Sequence, residues 1–165
     1  MTKPAGSCGD VSLRPVSAAD VDVFYRQQND PVANEMAGFP ARDEEAHAAH
    51  WAKILADPTV AARTVVADGA VVGNIVSFEI AGQREVGYWI GRQHWGQGCA
   101  TRAVALFLDV DWIRPLYGVA LSHNAASIRV LEKCGFVPAP PGAVTGDVSD
   151  VDAGDDAEVV LVLPA

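Results

Sequence analysis

A chain of 165 residues, half of them apolar, can bury one core without staples and fits a single domain over residues 1–165. Its formal charge of −9 argues against nucleic-acid or anionic-membrane binding, since both need a basic surface. No apolar run reaches bilayer length and Met1 to Asp10 carries no apolar signal core, so a cytoplasmic protein away from membranes is expected.

Residues 1–10, small and polar, read as a flexible N-terminus. Val11 to Val16 is a short first strand, kept near an edge by Pro15. Ser17 stands three residues before Asp20, a capping-box pattern with Asp in place of Glu. The helix it starts carries Val21, Phe24 and Tyr25 on one face and stops near Asn29-Asp30-Pro31. Val32 to Arg42, with Asn34, Glu35, Met36, Phe39 and Pro40, has the composition of a loop able to wall a pocket. Asp43 to Ala56 is a second helix. His47 and His50 share one face of it, but no third ligand accompanies them, so they read as a packing pair and no metal is expected.

Arg63 to Ala67 and Val71 to Ile80 are β-branched runs joined at Asp68-Gly69, a hairpin signal. Arg84 to Ile90 follows after Ala81-Gly82. Pro115 to Ser122 is a fifth strand, Asn124 to Cys134 a helix closed by Gly135, and Phe136-Val137 opens the next strand. From 138 to 158 the composition turns to Pro, Gly and acids, which reads as a mobile acidic loop before a last strand, Val159 to Leu163.

The three cysteines, Cys8, Cys99 and Cys134, are odd in number and lack paired spacing, so neither a disulfide framework nor a zinc site is indicated. Cys99 lies at a helix start, where a thiol pKa falls, yet no base or orienting partner can be assigned to it. Buried or incidental thiols are the expectation for all three.

The stretch from Tyr88 to Thr101 (Tyr-Trp-Ile-Gly-Arg-Gln-His-Trp-Gly-Gln-Gly-Cys-Ala-Thr) organises the chain. It starts as a strand, breaks at Gly91, and passes through Gly96 and Gly98 into a helical pattern from Ala100 to Val110. Glycines let the backbone approach a ligand, and a first helical turn offers unpaired N–H groups and a positive dipole end to an anion. A bound diphosphate is expected there. Between Arg84 and Lys133 six bases (Arg84, Arg92, Arg102, Arg114, Arg129, Lys133) face four acids (Glu85, Asp109, Asp111, Glu132), a local excess that suits a small polyanion. A dinucleotide-binding βαβ unit wants an acid at the end of the next strand, and Val119 to His123 has none. The Gly-Lys-Ser/Thr triplet of a nucleotide-phosphate loop is also absent.

The order of elements, with Gln93-His94-Trp95-Gly96-Gln97-Gly98 and the pair Asn124-Ala125-Ala126-Ser127 and Lys133-Cys134-Gly135-Phe136, resembles the GCN5-related N-acetyltransferase (GNAT) superfamily. Tyr88-Trp89-Ile90-Gly91 and Arg114-Pro115-Leu116 make it similar to the ribosomal-protein-alanine acetyltransferases, the Rim-type branch. The resemblance implies an α/β (α+β) fold: a mixed, mostly antiparallel sheet of about seven strands flanked by about four helices, splayed between strands 4 and 5. It implies transfer of acetyl from acetyl-CoA, a cosubstrate, to a primary amine such as a protein N-terminus, an amino acid or a small amine. Attack is direct, in a ternary complex. The alternative is a CoA-binding module without efficient catalysis. Monomer and homodimer are both open.

By the same resemblance, Trp89 and Ile90 run beside the pantetheine arm. Gln93, Gly96, Gln97, Gly98, Cys99, Ala100 and Thr101 hold the diphosphate; Asn124 bonds the arm or caps its own helix by satisfying a first-turn N–H, and Ser127 stands beside the cofactor with it. Many relatives place a Tyr seven residues after the motif Asn; here that residue is Leu131, so Ser127 is the expected hydroxyl donor to the departing thiolate. Glu85 is the candidate general base, directly or through water; it reads equally as a cross-strand partner. The acidic balance favours a cationic acceptor.

Overall fold

The computed structural model describes residues 7–143 and 157–165. Among these residues seven strands, numbered in chain order, form one sheet in the order β1-β2-β3-β4-β5-β7-β6. The strands are β1 (Val11–Arg14), β2 (Ala61–Ala67), β3 (Ala70–Ile80), β4 (Gln83–Ile90), β5 (Leu116–Leu121), β6 (Val137–Pro138) and β7 (Glu158–Leu163). Both hairpins fall where the sequence placed them: Asp68 and Ala81 take positive φ, each followed by a glycine that does the same. Every neighbouring pair is antiparallel except β4 and β5.

That exception positions the site. β4 and β5 pair in parallel only through Arg84, Glu85 and Val86, against Leu116, Tyr117 and Gly118. From Gly87 on, β5 stays with β7 while β4 stays with β3, and the sheet opens.

Among the described residues five α-helices accompany the sheet, one more than the sequence predicts: α1 (Ala18–Gln28), α2 (Pro31–Ala37), α3 (Glu44–Ala56), α4 (Cys99–Phe107) and α5 (Ala125–Lys133). The additional one, α2, occupies most of the expected loop from Val32 to Arg42. Pro31 at its first position presets a helical φ, and Asp30 caps it by accepting from Val32 N–H at 3.0 Å. So short an amphipathic turn carries too few residues to show a helical period. The N-cap of α3 is Asp43, which accepts from Ala46 N–H at 2.7 Å.

The start of α1 is more than a cap. Asp20 is buried and its carboxylate accepts from Ser17 N–H (2.8 Å), Thr64 Oγ1 (2.8 Å) and two nitrogens of Arg14 (2.6 and 2.8 Å). The Arg14 guanidinium, followed by these other donors, holds the Asp20 carboxyl far below the usual range. One residue thereby ties β1, β2 and α1. His47, the inward member of the expected histidine pair, is buried with its ring edge-on to Tyr25 at 5.5 Å, a packing role. Trp51 packs at a tilt on Phe24, with ring centroids 4.8 Å apart, and belongs to the core.

Between the sheet and helices α4 and α5 lies the main core, built from Val65, Ile75, Val86, Ala103, Val104, Phe107, Leu116, Leu131 and Leu161. Arg84 is buried at its border. Its guanidinium bonds Asp111 at 2.8 Å, Ser77 Oγ at 3.0 Å and Thr59 O, and the Ser77 hydroxyl also bonds Asp111. Burial raises the Asp111 carboxyl, but the donors Ser77, Ile113 N–H and Arg84 outweigh it and bring the group below its ordinary range.

Residues 1–6 of the expected flexible N-terminus, and most of the acidic loop from 138 to 158, lie outside the described residues. Cys8 is well placed: it is 2% exposed, its N–H bonds Gln97 O at 2.8 Å, and its sulfur is joined to Cys99 in a disulfide. This corrects the expectation that no pair of cysteines is linked. Residues 91 apart in sequence come to a Cα separation of 5.2 Å because the chain before β1 runs alongside the glycine turn, a proximity that spacing cannot reveal. With its sulfur bonded to Cys8, Cys99 is not a free thiol nucleophile.

Candidate active site

A cavity of about 400 Å³ occupies the opening between β4 and β5. Its walls come from α2 (Ala33, Met36, Ala37), the end of β4 (Tyr88, Trp89, Ile90), the glycine turn and the start of α4 (His94 to Thr101, without Gln97), and one face of α5 from its N-cap Asn124 to Lys133.

The glycine turn is built by backbone conformations that side chains resist. After β4 the chain makes a short 3-10 turn over Arg92–His94, then passes Gly96 at φ 72° and Gly98 at φ 84°. A Cβ at either glycine would meet no protein atom within 4 Å. Both therefore need glycine for the left-handed φ, and both face open space that a ligand can enter. Trp95 anchors the turn by donating from Nε1 to Ile90 O at 2.8 Å.

Gly98 is the N-cap of α4 and has no side chain with which to cap it. The first helical bond runs from Arg102 N–H to Gly98 O at 3.1 Å, so the N–H groups of Cys99, Ala100 and Thr101 have no acceptor within the helix. Three donors and the positive end of the helix dipole thus meet at the cavity wall, a site for an anion.

The basic residues divide sharply. Arg129 and Lys133, one turn apart on α5, line the cavity. The other four of the six bases counted in the sequence are engaged elsewhere. Arg84 holds Asp111 in the core, Arg92 pairs with Asp30 at 2.7 Å, Arg102 donates to Gly9 O at 2.6 Å, and Arg114 donates to the carbonyls of Leu108, Asp111 and Ile113. Of the local excess of bases, these two alone form part of the wall.

Facing the glycine turn, Asn124 caps α5 by accepting from Ser127 N–H at 3.2 Å. Ser127 Oγ lies 2.7 Å from the Tyr88 hydroxyl, which is also 3.2 Å from Ser127 O. Burial pushes the Tyr88 phenol up to about 12, against a partly compensating hydrogen bond from Ser127, so it is protonated at every working pH. Sequence reading left Tyr88 without a role. Strand alternation puts it on the face opposite Glu85 and Trp89, and only the packing of α5 shows that this face reaches Ser127.

Of the expected site residues, Trp89, Ile90, Gly96, Gly98, Cys99, Ala100, Thr101, Asn124 and Ser127 all line the one cavity. Gln93 and Gln97 do not: Gln97 Nε2 donates to Gln93 O at 3.2 Å, which braces the turn from outside. Glu85 does not line it either. It is 6% exposed, on the Trp89 face of β4, opposite Phe78 and Tyr117 in register. Leu131 is 1% exposed in the core, with its side chain against Gly118, and offers nothing to the cavity.

A mixed sheet parted beside a glycine-rich helix start is the frame of an acyl-coenzyme A binding domain. The chain matches the acetyltransferase (GNAT) domain family over residues 10–137, and it belongs to that family. Among curated proteins it is similar to the uncharacterized N-acetyltransferase p20 of Bacillus licheniformis, 24% identical over 140 residues, with 76% of this chain and 78% of that protein covered. In fold it is similar to a spermidine N-acetyltransferase from Vibrio cholerae, solved with CoA and spermine. The TM-score is 0.76 at 15% identity, covering 93% of this chain and 95% of the other. It is similar also to RimJ of Mycobacterium smegmatis, solved with CoA-disulfide, at a TM-score of 0.72 and 20% identity, covering 96% and 83%. No helix among the described residues is long and apolar enough to cross a membrane.

The residues of this chain fit coenzyme A. A diphosphate suits the bare N–H groups at the start of α4 and the open side of Gly96 and Gly98, Arg129 and Lys133 suit its negative charge, and the parted edge of β4 suits an extended amide-bearing arm.

Proposed function

We propose that this protein transfers an acetyl group from acetyl-CoA to a primary amine, by direct attack of the amine on the thioester in a ternary complex. The observation that carries this is the convergence on one cavity of an uncapped helix start, a parted strand edge and a hydroxyl pair at Tyr88 and Ser127.

With the diphosphate on Gly96 to Thr101, the arm lies along Trp89 and Ile90 and the thioester reaches the neighbourhood of Asn124 and Ser127. Backbone N–H groups of β4 beyond Val86, freed by the splay, stabilise the oxyanion that forms when the amine adds to the carbonyl. The C–S bond then breaks, and the sulfur leaves with its electron pair as a thiolate beside the Ser127 hydroxyl. The nucleophile must be unprotonated, which favours an α-amino group with a pKa near roughly 8 over a lysine near roughly 10. Glu85 removes the surplus proton through water, since its carboxyl is buried away from the cavity wall.

Ala33, Met36, Ala37 and Trp89 wall the acceptor side, and the described lining contains no Asp or Glu. An N-terminal α-amine with a small neighbouring residue fits this wall, and a Rim-type preference for protein N-termini is the reading that Ser127 and the Tyr88-Trp89-Ile90-Gly91 stretch support. One feature favours the second reading, a CoA-binding module without turnover: the buried Leu131 at the position where many relatives carry a tyrosine.

Incubation with acetyl-CoA and a panel of N-terminal peptides, amino acids and polyamines, with thiol release followed, separates the two. Amine-dependent thiol release supports transfer. CoA binding without release from any amine supports the module.

A further inference from the structure

Ser127 alone is an incomplete donor. A serine hydroxyl has one proton, and an oxygen 2.7 Å away at Tyr88 competes for it. Two arrangements satisfy the pair. In one, Ser127 Oγ–H donates to the Tyr88 oxygen while the Tyr88 O–H donates to Ser127 O at 3.2 Å, so the ring of hydrogen bonds closes on itself. In the other, Tyr88 O–H turns to donate to Ser127 Oγ, and the Ser127 proton is released toward the cavity that both residues line. Only hydrogen positions differ between the two; no heavy atom needs to move.

We propose that Tyr88 is a positioning residue for thiolate departure: by donating to Ser127 Oγ it turns the serine proton onto the sulfur as negative charge develops there. The inference rests on the transfer reading above and deepens it. As the C–S bond breaks, the electron pair goes to sulfur and the Ser127 proton hydrogen-bonds to it. The nitrogen's surplus proton leaves through water, and water protonates the free thiolate. The pair thus supplies a preorganised chain of donors and not a net proton. A phenol raised to about 12 stays above a thiol near roughly 8.5 and does not ionise in its favour. Two fixed hydroxyls polarise one another more strongly than either alone. The donor missing at Leu131 is thus Ser127, one turn earlier on α5, oriented by Tyr88 of β4.

The test is a double-mutant cycle of Tyr88→Phe and Ser127→Ala with an accepted amine, reading kcat and the KM for acetyl-CoA separately. Tyr88→Phe removes one hydroxyl from a half-buried ring, and melting and CoA-binding measurements on each variant confirm the fold. The expected result is a kcat lower by roughly tenfold in Tyr88→Phe and by roughly ten- to a hundredfold in Ser127→Ala, with KM changed less than about twofold. The double variant is expected no slower than Ser127→Ala, because Tyr88 has nothing left to orient. Ser127→Thr, which keeps a hydroxyl, is expected to recover most of the kcat. An unchanged kcat in Tyr88→Phe, a loss confined to KM or melting temperature, or effects that multiply in the double variant would each overturn the inference while leaving acetyl transfer intact. A wild-type protein that releases no thiol with any amine overturns the transfer reading and this one with it.

Discussion

Substitution at Gly98 separates the two properties that the glycine turn combines. Gly98 adopts φ 84° as the N-cap of α4, and a Cβ there meets no atom within 4 Å. Gly98→Ala therefore introduces backbone strain without a clash, at a cost of about 1–2 kcal/mol. For a chain of this length that lowers the melting temperature by about 2–8 °C. Gly98→Glu adds the same strain and also points a carboxylate into the open space assigned to the diphosphate. Two unit charges 4 Å apart at an effective dielectric constant of 20 repel by about 4 kcal/mol, and exposure of the turn reduces this to about 1–3 kcal/mol, a loss of roughly ten- to a hundredfold in CoA affinity. Isothermal titration of both variants with CoA, at low and high salt, is the assay. Matched melting temperatures with much weaker, salt-sensitive binding in the glutamate variant are expected. Equal CoA affinity in the two variants would refute the placement of the anion.

Three further outcomes follow from the structure. Asp20→Asn removes the anion that gathers Arg14, Ser17 N–H and Thr64; Asp20 is buried but Arg14 is 43% exposed and rehydrates when its partner is lost, so the change is expected to cost about 1–2 kcal/mol and to lower the melting temperature by about 2–8 °C, while CoA affinity is unchanged by titration. Acid is expected to destabilise the protein above the range of ordinary carboxylate titration. Burial, and then Arg42, lowers both His47 and His50, the latter to about 4, so their neutral forms favour the folded state. That stability is present above the unfolded histidine value near 6.5 and is lost as pH falls from there toward 4; a melting series from pH 7 to 4.5 should show the fall, and a shallower one in His50→Gln. Reduction of the Cys8–Cys99 disulfide, which closes a loop of 91 residues, is expected to cost about 2–4 kcal/mol, read as a fall in melting temperature on adding dithiothreitol that Cys8→Ser no longer shows.

What the letters revealed was what backbone chemistry dictates locally. Asp68-Gly69 and Ala81-Gly82 announced their hairpins because few residues tolerate positive φ, and for the same reason Gly96 and Gly98 announced the turn that lines the cavity. Asn124 was legible as a cap because a side-chain oxygen before a helix start has a natural donor in Ser127 N–H. What stayed hidden depends on distant partners. Arg84, Arg92, Arg102 and Arg114 look like anion ligands in a charge count, and only the fold shows each spent on a carboxylate or carbonyl. The link between Cys8 and Cys99, the helix at Pro31–Ala37 and the meeting of Tyr88 with Ser127 are likewise products of tertiary packing.

A crystal structure of the protein with coenzyme A bears on all of this at once. The diphosphate is expected within hydrogen-bond distance of N–H groups between Gly96 and Thr101, with Arg129 and Lys133 beside its phosphates and the thiol end reaching Ser127 between β4 and β5. Coenzyme bound elsewhere, or a thiol directed away from Ser127, would contradict the reading.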